Sequence, residues 1–186
     1  MNLAKKTKEA TFADMKSINA IIKRVKARDN VVKYNKVDEI ENLKVIGVSD
    51  ASFSKSKSSV GGSLIMLGSK YNSNVAPLYW KSRVIKNVCI SSKDAETRAG
   101  CDTTNSSIYM ANKLEKMLFG NVKNRIPVDV MTDSLPLLTS IASTKRVENL
   151  NMVNTVELMK EKMLEQEVAS YLYVNTRQCG RFINEI

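Results

Sequence analysis

Three acids fall where elements of structure should end. In 186 residues that include no histidine, Asp50 lies near the end of the β-branched run Leu43 to Ser52. Glu96 falls in the expected first turn of a long helical segment, and Asp133 follows the apolar run Ile126 to Thr132. Asp50 alternates with Ile46 and Val48, so a strand that turns those side chains inward turns a carboxylate inward with them, which is costly without partners. Asp133 sits at the carboxyl edge of a strand and just before a helix, where open α/β sheets gather ligands. If the first and fourth strands are neighbours and the helix crosses above them, the three carboxylates converge. They then repel one another unless divalent cations neutralise them, and an all-oxygen donor set suits Mg²⁺ or Mn²⁺. Each acid alone has a plainer use. Asp133-Ser134 is a common helix-entry pair, Glu96 complements a helix dipole, and Asp50 before a polar loop starts a turn.

The rest of the composition narrows the chemistry. Without histidine there is no Ser-His-Asp triad, no Cys-His nucleophile and no histidine-ligated metal. The three cysteines, Cys89, Cys101 and Cys179, are widely spaced and odd in number, which speaks against a disulfide framework or a structural zinc and for a reducing compartment. Cys101 and Cys179 read as packing residues. No apolar run reaches the roughly 18 residues of a membrane span, and the start of the chain lacks the apolar stretch of a signal peptide. The expectation is an intracellular protein, cytoplasmic or nuclear.

The elements that must position the acids follow from periodicity. Strands are expected at 43–52, 60–68 and 75–82, joined by short turns as an antiparallel meander. A helix follows, with Ser91 and Asp94 at capping-box spacing and Gly120 as its stop, although the polar run Asp102 to Ser107 weakens the helical pattern in the middle. A fourth strand at 126–132, helices from Ser134 and over 151–167, a fifth strand at 171–174 and a short terminal segment complete the chain. The order predicts an α/β fold with a mixed five-stranded sheet and helices packed on it.

The charge is concentrated at one end. Residues 1–36 hold ten Lys/Arg against three Asp/Glu, which leaves nineteen against sixteen for the remainder and accounts for most of the net +10. Residues 1–10 read as a polar tail. From Thr11, the apolar residues Met15, Ile18, Ile21, Ile22 and Val25 recur at helical spacing with Lys23, Arg24, Lys26 and Arg28 in the last turns. These cations either complement the helix dipole or contact a polyanion. Two domains are therefore expected, a basic tail and helix over 1–42 and the α/β domain over 43–186.

Four motifs in order, Val-Ser-Asp-Ala-Ser-Phe (48–53), Leu-Tyr-Trp-Lys-Ser (78–82), Ser-Ser-Lys-Asp-Ala-Glu-Thr (91–97) and Met-Thr-Asp-Ser (131–134), together resemble the ribonuclease H domain of copia-type retrotransposon reverse transcriptases over residues 43–182. The resemblance implies a ribonuclease H-like fold and hydrolysis of the RNA strand of an RNA/DNA hybrid by two Mg²⁺ ions, with Asp50, Glu96 and Asp133 as metal-binding catalytic acids. It further implies that the N-terminal helix corresponds to the segment joining nuclease to polymerase, a docking site for a polymerase part or another protein. Lys55 and Lys57 in the Ser-rich loop, Lys81, Arg83 and Lys86 after Trp80, and Arg177 and Arg181 near the expected site are the expected phosphate contacts; the plain alternative is a solvated basic surface with Trp80 in the core. One departure stands out. Such domains usually close with an A-D-x-x-T-K helix whose Asp is a fourth ligand, and aligning Thr176 with the family threonine puts Phe182 there, with Glu185 the nearest acid. The two expectations are a nuclease of reduced rate and a catalytically silent domain that binds nucleic acid or protein.

Overall fold

The computed structural model describes residues 10–28, 34, 36–55, 58–120, 126–143, 150–165 and 169–172. The chain divides into two units, Met1–Tyr34 and Asn35–Ile186. In the first, helix α1 (Phe12–Lys26) is closed by a complete capping box. Thr11 Oγ1 accepts from the Asp14 amide, and the Asp14 carboxylate accepts from the Thr11 backbone. The apolar residues expected on one face, Met15, Ile18, Ile21, Ile22 and Val25, are all substantially exposed.

In the second unit β1 (Leu43–Ser52), β2 (Val60–Ser69) and β3 (Val75–Val84) form the expected antiparallel meander. Helix α2 (Ser92–Phe119) then crosses to β4 (Val128–Thr132), which pairs in parallel with β1. Helices α3 (Leu135–Ala142) and α4 (Leu150–Glu165) lead to β5 (Ala169–Leu172), parallel to β4, and complete a mixed sheet in the order β3-β2-β1-β4-β5. The last strand starts two residues before the expected Tyr171. The unit also starts before residue 43. Val37 is buried with Leu43 and Ala76, and Asp38 accepts hydrogen bonds from Ser69 and from Asn72 on the β2–β3 turn. No helix among the described residues is long and apolar enough to cross a membrane.

Alternation along the strands decides what α2 covers. Val45 and Ile65 are fully buried with Ile108 and Ala111 of α2 and Val128 and Val130 of β4. Gly47 lies so close under the helix that a Cβ there would meet Ser107 Oγ at 2.2 Å. The polar middle of α2, which weakens the helical pattern in the sequence, is the part pressed on the sheet. Thr103, Thr104 and Ser107 are fully buried, the Thr103 and Ser63 hydroxyls are 2.7 Å apart, and Thr104 Oγ1 donates back to the Gly100 carbonyl. Short side chains let helix and sheet approach, and their hydroxyls are mostly satisfied locally.

Candidate metal centre

The parallel pairing of β1 with β4 ends at Ser49 and Thr132. Asp50 and Asp133 are each the next residue, so two adjacent strand ends, roughly 4.8 Å apart, carry one carboxylate each. Glu96 reaches the same edge from α2. One oxygen from each of Asp50, Glu96 and Asp133 lies within 4.8 Å of the other two. The structure thus brings together the three acids singled out from the sequence.

Two details differ from expectation. Asp50 does continue the alternation of Ile46 and Val48, but burial fades along that face, from Ile46 buried through Val48 half-buried to Asp50 exposed. The residues beneath α2 are instead Val45, Gly47 and Ser49; Ser49 Oγ lies 4.0 Å from where a Cβ on Gly100 of α2 would stand. Asp50 therefore points from the strand end into solvent rather than into the core. Glu96 is the fifth residue of α2, past the first turn, whose acid is Asp94. The helix dipole acts mainly on the first turn, so it is Asp94 that meets it more directly.

The β3–α2 connection fixes where Glu96 stands. Ser91 Oγ accepts from the Asp94 amide at 3.1 Å, whereas the Asp94 carboxylate, only 1% exposed, does not close a capping box onto Ser91. It accepts from the Ile90 amide at 3.1 Å and from Arg98 Nε at 2.8 Å. One buried acid thereby ties the incoming loop to the first two turns of α2.

Glu96 is the electrostatically perturbed member of the cluster. Burial first, then the nearby Asp133 and Asp50 carboxylates, push its pKa up to about 7, against a smaller lowering by a hydrogen bond from the Ala51 backbone. Its Oε2 is buried with no hydrogen-bond partner. An orphaned carboxylate oxygen facing two further carboxylates, all hard oxygen donors, fits a divalent cation.

The expected phosphate contacts divide. Lys55 is exposed in the loop that follows β1, five residues after Asp50. Lys81 and Arg83 are held by one acid on α2, with Lys81 Nζ 3.1 Å from Asp102 Oδ2 and an Arg83 guanidinium nitrogen 2.6 Å from Asp102 Oδ1. Sequence reasoning missed Asp102, although its position in the polar run of α2 was visible. Trp80 is 65% exposed and so is not a core residue. Cys101 is half-buried, and burial pushes its thiol pKa up. Lys57, Cys179, Arg177, Arg181, Phe182 and Glu185 lie outside the described residues, as does the N-terminal tail up to residue 9.

No protein-family model matches the chain, and no curated protein matches it. Solved structures do. The N-terminal ribonuclease H domain of a Mycobacterium tuberculosis protein, solved as a fusion with maltose-binding protein, superposes with a TM-score of 0.52 at 12% identity, over 73% of this chain and 85% of that one. Ribonuclease H1 from the halophilic archaeon Halobacterium salinarum gives 0.50 at 10% identity, over 72% and 88%. At such identities the likeness concerns the fold, and it agrees with the strand order and the mixed sheet. The chain has a ribonuclease H-like fold.

Proposed function

We propose that the α/β unit is a metal-dependent endonuclease of the ribonuclease H type that cuts the RNA strand of RNA/DNA hybrids, related to the nuclease domains of copia-type reverse transcriptases. The convergence of Asp50, Glu96 and Asp133 carries this reading, because no cation among the described residues forms an ion pair with it. Asp50 and Asp133 offer oxygens toward solvent, and the half-buried Glu96 closes the inner side of the site. Divalent cations, Mg²⁺ or Mn²⁺, supply when bound the charge that activates a water and stabilises the oxygen leaving the phosphodiester. The chain's own residues hold and orient that charge. Asp50 and Asp133 are spaced by the β1–β4 register, and Glu96 is positioned by α2 through Asp94. Lys55, exposed in the loop after β1, is the proposed phosphate contact, and binding of a hybrid rests on its minor-groove shape and 2′-hydroxyls.

The test is cleavage of the RNA strand of a labelled hybrid with Mg²⁺ and with Mn²⁺, run beside Asp50→Asn. The expected result is cleavage that requires the metal and falls at least about a hundredfold in the variant, more than the 10- to 100-fold typical of losing a residue that only supports a ligand. If the unmodified chain cuts no faster than Asp50→Asn, the nuclease reading fails, and a salt-dependent binding titration then tests the alternative, a catalytically silent domain that binds nucleic acid or protein. Phe182→Asp adds a second reading of the same assay. A rise in the Mg²⁺-supported rate is expected if position 182 stands where the family's fourth acid does; no change means that Glu185 or another group already fills that place, or that the alignment is misplaced.

A further inference from the structure

Helix α1 carries an apolar stripe that stands exposed among the described residues. Met15, Ile18, Ile21, Ile22 and Val25 are each 41 to 56% exposed, and at about 100° per residue they fall within one arc of about 120°. A helix of 15 residues is marginal in water without a partner for such a face, although the capping box of Thr11 and Asp14 holds its first turn. The order within the stripe is regular. Met15, Ile18, Ile22 and Val25 follow one another at intervals of three, four and three. These are the a and d positions of two heptads, with Ile21 at a flanking g position.

The stripe is symmetric about Ala20. Met15 and Val25 stand five positions to either side of it, and Ile18 and Ile22 stand two, so the helix turned end for end presents the same succession of apolar side chains. The charges are polarised instead. Asp14, the one acid of the helix, lies in the first turn, while Lys23, Arg24 and Lys26 lie in the last and Arg28 just beyond. Two parallel copies would set their basic ends side by side. Two antiparallel copies place those ends about 22 Å apart, each beside the other's acid end, with the helix dipoles opposed. The flanking positions then match as well, with Asp14 facing Arg28, Phe12 facing the stem of Lys26, Ile21 facing Ile21 and Asn19 facing Asn19 of the second copy.

We propose that α1 is a self-association helix, which pairs antiparallel with α1 of a second copy of this chain through layers of Met15 against Val25 and Ile18 against Ile22. Such a contact uses the same patch on both copies and closes as a two-fold dimer, so that one particle carries two α/β units. A second copy is favoured over an anionic lipid surface by the polarity of the helix. A lipid surface draws no advantage from end-for-end symmetry and is met by cations along the whole length, whereas those of α1 gather at one end. Pairing of α1 is independent of the nuclease reading, and the two can fail separately.

The test is sedimentation equilibrium of the full chain at physiological salt, from about 1 to 500 µM protein. The mass should rise with concentration from the 20.8 kDa of one chain toward twice that value. The dissociation constant should be roughly 10 to 100 µM, as for an interface below standard size. Ile18→Ala/Ile22→Ala, which keeps good helix formers in α1, should weaken association at least about tenfold. Orientation is read by oxidative cross-linking in a chain whose three cysteines are replaced by serine. A mixture of Met15→Cys and Val25→Cys chains should cross-link, and neither variant alone should. Cross-linking of each variant with itself but not in the mixture would make the pair parallel and overturn the proposal. Association unchanged in the double alanine variant would place the contact elsewhere and overturn it too. A chain that stays monomeric at about 500 µM also overturns it, and co-sedimentation of that monomer with phosphatidylserine vesicles would make the stripe a lipid-binding face.

Discussion

Acids at the carboxyl edge of the sheet and acids elsewhere in the same unit are treated oppositely. Away from the edge each carboxylate in the sheet and α2 that forms an ion pair has a dedicated cation: Asp94 has Arg98, Asp129 has Lys44 at 2.8 Å, and Asp102 has both Lys81 and Arg83. At the edge Asp50, Glu96 and Asp133 face one another instead. A chain with 29 Lys/Arg for 19 Asp/Glu has cations to spare, so the fact that none among the described residues forms an ion pair with that cluster is not a shortage. Unbalanced charge opposes folding, and a fold that keeps it points to a ligand that supplies the balance.

The largest effect that would sharpen this contrast lies at the edge itself. Asp133→Asn should reduce hybrid cleavage at least about a hundredfold with little loss of stability, since the residue is exposed and the change removes repulsion. A comparable loss of stability and activity together would make Asp133 a structural residue. At the paired acids the outcome should invert. Asp94→Ala removes the buried partner of Arg98 and of the Ile90 amide, and should cost about 3 kcal/mol in denaturant unfolding. An unchanged midpoint would mean that the loop is held by other contacts.

Next comes the pH dependence of the metal-free protein. The Glu96 pKa of about 7 lies above its ordinary 4.5, so the folded state holds this proton more tightly than the unfolded chain does. Its contribution is full below about pH 4.5 and is lost as pH rises to about 7. In chelator, Glu96→Gln should therefore gain on the unmodified protein across that window and melt about 2 °C higher at pH 8; the effect is small because solvent screens a half-buried group. A constant difference between pH 4.5 and 8 would remove Glu96 as the titrating group. The smallest effect belongs to Asp102→Asn, whose partly exposed pairs with Lys81 and Arg83 should change stability by about 1 kcal/mol or less in denaturant unfolding; a loss of several kcal/mol would show that these pairs brace α2 against β3.

Much of the site was legible because it depends on where elements end. Strand runs that stop at Ser52 and Thr132 place Asp50 and Asp133 without reference to packing, and the Ser91 cap places Glu96 within a turn. What the sequence hid depends on tertiary contact. The sheet face beneath α2 is set by the register that puts Gly47 under Ser107, and this reverses the inward reading of Asp50. The polar run of α2 looks like a weak helix until Ser63 and Gly47 provide surfaces that only short side chains fit. Lys81 and Arg83 look like free phosphate contacts, because residues nineteen and twenty-one positions away carry no sequence signal that they share Asp102. Val37 and Asp38, in a polar stretch, belong to the folded unit through contacts with the β2–β3 turn.

The edge acids are proposed to form a cation site, and Mn²⁺ binding measured calorimetrically at pH 7 tests that directly. The unmodified protein should bind Mn²⁺ at pH 7 with release of about half a proton per site, because Glu96, with a pKa of about 7, is about half protonated there and must ionise to coordinate. Asp50→Asn should weaken binding at least about tenfold, and Glu96→Gln should abolish the proton release. Equal affinity in all three proteins, or binding with no proton released, would contradict the assignment.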